Sequence, residues 1–374
     1  MSSVATTPLI STSETSSGLR KVISSGFLKR SDTSLLIFIV AITAVAAASL
    51  SDFRTLSNLS NLFNTVALVA IVAIGEAVTI LARQIDLSVG AILGICAYLV
   101  GEASGHVSGP LGPVFGVAMA LALGGALGLG NALLIDGLKM PAIIATLATL
   151  SIYTGVQIFV NNGSQLYLTQ VPKWLAGLRG DTWFGIGTFI WIALICLAVV
   201  SFILRRTRFG RDVYALGSNP EAAIYLGVKV RLRTYQLFAL CGALAGLGGL
   251  LYVSQFGNVD ATAGSGMNLT VIAAAVVGGV SLFGGSGTAL NAVLGALLLG
   301  EIQNILELTH ISVFAEQTLQ GVAIVVAVAV YAVVSRRLRR PVRREAMAGN
   351  VVESFTQVEP ARSGDVAVDG GSYE

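Results

Sequence analysis

Apolar residues along this chain fall into long unbroken runs, not into the alternation of half-buried strands or the stripes of surface helices. The runs cover approximately 35–50, 60–82, 88–102, 113–135, 141–161, 184–204, 235–255, 269–283, 287–307 and 313–335. Most are close to the length of about 20 residues that a helix needs to cross hydrocarbon. The pattern therefore predicts about ten transmembrane helices within a membrane domain spanning 35–335. The two shortest runs, 88–102 and 269–283, abut Gly-containing breaks and are expected to be re-entrant or tilted. Residues 1–34 are rich in Ser and Thr and read as a disordered tail, as do residues 336–374 after their basic start. The first run, Leu35–Leu50, ends in Ala46-Ala47-Ala48 as a signal peptide does. The length of the tail before it and the number of runs after it favour an uncleaved first helix.

Composition sharpens this into a class. The chain is 54% hydrophobic and only 11% charged, whereas soluble domains carry about 25% charged residues. So little charge cannot cover a water-facing surface, and an all-α polytopic membrane protein follows. The 43 glycines have a use in that setting, because small residues let helix backbones approach. Gly124-x-x-x-Gly128 and Gly242-x-x-x-Gly246 have the spacing for such a seam. Cys96, Cys196 and Cys241 each lie inside an apolar run and read as small buried hydrophobes.

The net charge of +3 is less informative than its placement. With the N-terminus inside, the inner loops fall at 83–87, 136–140, 205–234, 284–286 and after 335. These loops and the N-terminal tail hold 20 of the 23 Lys and Arg residues, leaving Arg54, Lys173 and Arg179 outside. The positive-inside rule then places both termini in the cytoplasm. Basic patches here are topology signals, which leaves no nucleic-acid partner to expect. The run Arg336-Arg337-Leu338-Arg339-Arg340 has the character of a contact with anionic membrane lipid.

One cytoplasmic loop, 205–234, is long and structured in its chemistry. Asn219 is a good N-cap, Pro220 suits the first helical position, Glu221 favours the positive end of the helix, and Gly227 is placed to stop it. A helix of about two turns outside the membrane is predicted, with Ala222 and Ala223 small enough to dock in a groove of another protein.

Glu221-Ala222-Ala223-x-x-x-Gly227 resembles the EAA-x-x-x-G element of ABC importer permeases, whose short coupling helix docks on the ATP-binding subunit. Arg208-Phe209-Gly210-Arg211, Ala215–Asn219, Ile85-Asp86-Leu87-Ser88-Val89-Gly90, and Ala275–Leu282 followed by Gly284-Gly285-Ser286-Gly287-Thr288 are similar to the ribose-type monosaccharide branch of that superfamily. The resemblance covers about 35–335. It implies a type II ABC importer-like permease in the bacterial inner membrane. Its expected partners are an ATP-binding cassette subunit, a periplasmic sugar-binding protein and a second permease copy or paralogue. ATP would be used by the partner subunit, with no cofactor in this chain and no enzymatic activity. The branch usually carries two small residues where this chain has Arg83-Gln84, and an Arg there is more like permeases for rhamnose or autoinducer-2.

Several polar residues inside or beside the apolar runs are candidates for the solute path or its gate. Glu76 is an intramembrane carboxylate, a costly feature that usually faces a cavity or a partner. Asp86 and Ser88 are placed to cap the next helix, and Asp86 could pair with Arg83. Gln157, Asn161 and Asn162 could bind sugar hydroxyls or end their helix, and Glu301, Gln303 and Asn304 pose the same choice. The breaks at 83–90 and 278–287 hint at two halves of similar design. Trp174, Trp183 and Trp191 mark the outer membrane interface. An ion-coupled secondary transporter using Glu76, Asp86 and Glu301 is the rival from another class. An ABC permease for branched-chain amino acids is the rival within it.

Overall fold

In the computed structural model the described residues are 30–309 without 108, together with 318, 321, 322 and 325. They lie in the first of two units, Met1–Val325. The run expected at 313–335, the two tails apart from Arg30 and the helical residues that follow it, and His310 lie outside what is described, apart from those four isolated positions.

Helices follow the apolar runs in order. They are α1 (Arg30–Ser49), α2 (Leu56–Leu81), α3 (Val89–Ser104), α4 (Gly112–Gly137), α5 (Ala142–Asn161), a short α6 (Lys173–Gly177) and α7 (Thr188–Arg206). After these come α8 (Arg208–Ser218), α9 (Pro220–Tyr225), α10 (Val230–Phe256), α11 (Met267–Val277) and α12 (Ala289–Leu308). Among the described residues six of these, α2, α4, α5, α7, α10 and α12, are long and apolar enough to cross a membrane, and the apolar helices Leu35–Ser49, α3 and α11 are shorter. Helix α1 begins at Arg30, earlier than the tail boundary expected at 34, because Ser31–Ser34 continue the helical turn of the run behind them.

The core is built on α2 and α10. From Val66 to Ala82 every residue of α2 and its C-cap is buried, and α10 is buried along most of Leu237–Gln255. Such helices are apolar all round because neighbours cover every face. The two glycine pairs form the seam between α4 and α10. A Cβ on Gly124 would strike the Gly242 carbonyl, and one on Gly128 would strike the Phe238 carbonyl. The two small-residue motifs therefore face each other, and the backbones meet where side chains would otherwise stand.

Two short helices mark the breaks. Helix α3 has 16 residues and α11 has 11, about 24 Å and about 16 Å at 1.5 Å per residue. The run expected at 269–283 is helical only to Val277, because Gly279, Gly284, Gly285 and Gly287 take positive φ between 71° and 132°. Between α10 and α11 the chain re-enters the bundle. Strand β4 (Asn258–Val259) pairs with β1 (Leu166–Tyr167), whose Leu166 sits against Gly101 of α3. Gly264, a few residues later, already packs against Gly90. Eleven residues of α3 separate those contacts, so the loop descends by about 16 Å. The N-termini of α3 and α11 consequently meet inside the bundle, with the Asn268 amide against Gly90. A second strand pair, the hairpin β2 (Thr182–Trp183) with β3 (Ile186–Gly187), carries the exposed Trp183, whose carbonyl accepts from Trp191 Nε1 at 3.0 Å.

Candidate functional site

The basic end of the bundle, where Arg205, Arg206, Arg208, Arg211, Lys229, Arg231 and Arg233 gather, holds the segment singled out from sequence. Thr207 caps α8 by accepting from the Gly210 amide at 3.4 Å. Arg233 of α10 grips Asp212 of α8 at 2.7 Å, which fixes α8 to the bundle. Asn219 then ends α8 and caps α9, its Oδ1 accepting from the Ala222 amide at 3.1 Å. Gly227 adopts φ +83°, and its amide donates to Ile224 at 2.9 Å, closing the helix as the sequence predicted. Ala223 is buried and forms the anchor, while Glu221 and Ala222 are exposed. The outer surface belongs to Tyr225, 91% exposed, and Leu226, 82% exposed. Sequence reasoning passed over these two, although an apolar pair on a helix assigned outside the membrane is itself a signal.

Just inside this end lies a buried polar network. Asp86 accepts from the Ser88 amide at 2.9 Å, from Ser88 Oγ at 2.6 Å, and from Asn131 Nδ2 at 3.1 Å. Asn131 also donates to Ser88 Oγ at 2.8 Å. Glu76 Oε1 accepts from the Asp86 amide at 3.1 Å, and Cys241 Sγ points at Glu76 Oε2 from 3.7 Å. Elements α2, α4 and α10 are thus tied to the loop 82–88 through groups shielded from water. Ser88, not Asp86, is the N-cap of α3, and its side chain makes no cap bond; Asp86 instead forms a turn of its own two residues ahead. Asn131 stands within the run 113–135, where a lone amide was the available clue.

Arg83 does not pair with Asp86. The carboxylate is turned into the network, whereas the exposed Arg83 points the other way. Its Nε donates to the carbonyls of Gly217 at 2.6 Å and Phe283 at 2.8 Å, and its Nη2 donates to Ser218 at 2.9 Å. Two further bonds join the same three segments: the Gly285 amide to Leu81 at 2.9 Å and Tyr214 Oη to Gly287 at 2.8 Å. Burial pushes the Tyr214 phenol up, with the Arg205 charge acting in the opposite direction. The breaks at 83–90 and 278–287 therefore meet at one place, under the end of α8.

The remaining candidates lie toward the other end. Gln157 is buried and donates to Ala263 at 3.0 Å, holding the descending loop against α5. Asn162 takes φ +47° and ends α5, and the neighbouring Asn161 is fully buried with neither amide atom partnered. Glu301 accepts from Thr43 of α1 at 2.7 Å, and Asn304 exchanges bonds with Asn58 at 2.8 and 2.9 Å. Next to them a cavity of about 320 Å³ opens at the ends of α2, α10 and α12. Asn61, Thr65, Arg179, Gln255, Gln303 and Glu307 are among the side chains that line it. Gln255 donates to Asn61 at 2.8 Å and Thr65 at 2.9 Å, which leaves its buried Oε1 unpartnered. Among the described residues no three His, Cys, Asp or Glu side chains gather as a metal site would require.

Residues 58–328 match the family described as branched-chain amino acid transport system / permease component. The autoinducer 2 import system permease protein LsrC of Escherichia coli O9:H4 (strain HS) is 35% identical over 291 residues, covering 78% of this chain and 83% of that protein. The protein of the same description from Salmonella paratyphi B (strain ATCC BAA-1250 / SPB7) is 36% identical over 251 residues, 67% of this chain and 71% of its own. No solved structure matches.

Proposed function

This chain belongs to the branched-chain amino acid transport system / permease component family, and from that premise we propose that it carries a small neutral hydroxylated solute of the autoinducer-2 or rhamnose kind. It is a multi-pass membrane permease of an ABC sugar importer. Such a permease works with an ATPase and a periplasmic binding protein. In our reading the basic end faces the cytoplasm, both termini lie there, and the membrane is the bacterial inner membrane. The solute arrives from a periplasmic binding protein at the opposite end, and a second permease copy or paralogue completes the pathway. This chain needs no cofactor and makes or breaks no covalent bond; ATP is used by the ATP-binding subunit.

The observation that carries the reading is α9. A six-residue helix, capped at both ends and anchored by buried Ala223, holds Tyr225 and Leu226 out in water. Exposed large apolar side chains on a rigid mount suit a protein partner better than they suit solvent. The cavity at the other end supports the solute class. Its amides and hydroxyl offer donors and acceptors, and Arg179 and Glu307 give it no single sign of charge. A polyhydroxylated neutral molecule matches that lining, whereas an amino acid's apolar side chain would leave its polar groups unpaired.

The test is ATP hydrolysis and solute uptake in proteoliposomes containing the chain, its ATP-binding subunit and the loaded binding protein. Gly227→Pro is the informative variant, because proline cannot adopt φ +83° and lacks the amide that closes α9. Stimulated hydrolysis that loses coupling in Gly227→Pro and in Glu221→Ala supports the importer. Uptake that instead follows an imposed ion gradient, needs no ATPase and fails in Glu76→Gln would sink it.

A further inference from the structure

Three segments far apart in sequence converge under the coupling helix: the end of α2, the end of α8 and the glycine-rich loop after α11. Arg83 is the side chain that touches all of them. It belongs to the first segment, donates to Gly217 and Ser218 in the second, and donates to Phe283 in the third, all at 2.6–2.9 Å. Every acceptor is a main-chain carbonyl, so the contact reads the position of the backbone. The Nε–H is shared between the Gly217 and Phe283 carbonyls while Nη2 reaches Ser218, a planar arrangement of donors that lysine does not reproduce.

The surroundings are arranged for close approach. A Cβ on Gly217 would collide with the Leu81 carbonyl, and one on Gly284 would meet Arg83 Cγ. Arg83 itself sits at φ +62°, a conformation that favours glycine, so the chain keeps an arginine where the backbone alone would select against it. On one side of the contact, Ser218 is followed at once by the Asn219 cap of α9. On the other, Arg83 leads in three residues to Asp86 and the buried network that holds the start of α3. Arg83 thus links α9 to both breaks, beside the Gly285–Leu81 and Tyr214–Gly287 bonds that join the same segments.

Building on the importer reading, we propose that Arg83 is a positioning residue that couples movement of the ATPase-docking helix to the paired breaks at 83–90 and 278–287. It touches neither ATP nor solute. Its job is to make the three segments move as one body, so that closure of the ATPase alters access instead of being absorbed by slack between α8 and the bundle.

The experiment reconstitutes the complete importer with Arg83→Gly and with Arg83→Lys and measures ATP hydrolysed per solute imported. That ratio separates coupling from stability, since loss of folded protein lowers both quantities together. Glycine relaxes the φ +62° backbone and removes the cation, and the ratio is expected to rise at least tenfold. Lysine keeps the charge without the fork, and a rise of about threefold is expected. A wild-type ratio in Arg83→Gly overturns the proposal. Should Arg83→Gly fail to assemble, Arg83→Lys takes its place, and a wild-type ratio there overturns it equally. Failure of the unmutated chain to assemble with any ATPase would be a failure of the importer reading, visible before either variant is made.

Discussion

Replacing Tyr225 and Leu226 together by serine isolates the docking surface of α9 from the permease fold. Their exposures of 91% and 82% mean that neither side chain contributes appreciably to the packing of this chain. Full burial of one large apolar side chain contributes about 1.5–3 kcal/mol, so the pair has about 3–6 kcal/mol to give a partner. Interfaces seldom bury every atom, and about 3–4 kcal/mol is a fair expectation. At 1.4 kcal/mol per tenfold, the double variant should bind the ATP-binding subunit about 100- to 1,000-fold more weakly. The assay is titration of labelled ATPase onto the permease in lipid nanodiscs, followed by fluorescence anisotropy, with thermal unfolding recorded alongside. Phe184→Ser is the control, since Phe184 is 95% exposed but sits on the β2–β3 hairpin, away from α9. A change in Kd below about threefold for the double variant, or an equal loss for Phe184→Ser, would refute the assignment of α9 as the docking element.

Two further outcomes follow from the packing. Gly242→Val places a branched side chain against the Gly124 carbonyl and the Gly128 Cα, so it should cost about 3 kcal/mol or more and lower the unfolding temperature in detergent, whereas Gly125→Ala makes ordinary contacts with the Ala239 carbonyl at 3.5 Å and the Ala243 Cβ at 3.8 Å and should not. Gln255→Met keeps the bulk beside the 320 Å³ cavity but deletes an amide that bonds Asn61 and Thr65 and offers one free acceptor. With each lost hydrogen bond contributing about 0.5–1.5 kcal/mol, the KM for import should rise about 2- to 10-fold, and an unchanged KM would remove this cavity from the solute's route.

Local chemistry was legible in the sequence, and contact between distant segments was not. The cap at Asn219, the stop at Gly227 and the small-residue spacing of Gly124/Gly128 and Gly242/Gly246 all depend on spacing within a few turns, which a linear string displays; that the two glycine pairs face each other was not legible. Arg83 shows the opposite case. Its nearest carboxylate in sequence is Asp86, yet its partners lie at 217, 218 and 283, because positive φ at Arg83 swings the side chain away from the network. The partners of Asn131 and Gln255 were not legible for a related reason: an amide inside an apolar run gains meaning only from what the next helix places opposite it. Glu76, by contrast, announced itself as a costly group, and its answer was the Asp86 main-chain amide, a partner no spacing rule names. The descent of the loop before α11 was foreshadowed by the shortness of its apolar run, though not its extent.

Helix α11 also bears on how this protein is made. An 11-residue helix reaches about 16 Å, roughly half the hydrocarbon thickness of about 30 Å, so a translocation channel that releases segments to lipid one by one has no complete span to recognise there. What it can accept is α11 with α12, because a Cβ on Gly295 would strike the Ala274 carbonyl and Asn291 Nδ2 already bonds the Gly278 carbonyl at 2.8 Å. Biogenesis of this region is therefore expected to wait until the ribosome has delivered α12. The segment from Gly257 to Leu308 then enters the bilayer as a preassembled hairpin against α2 and α3.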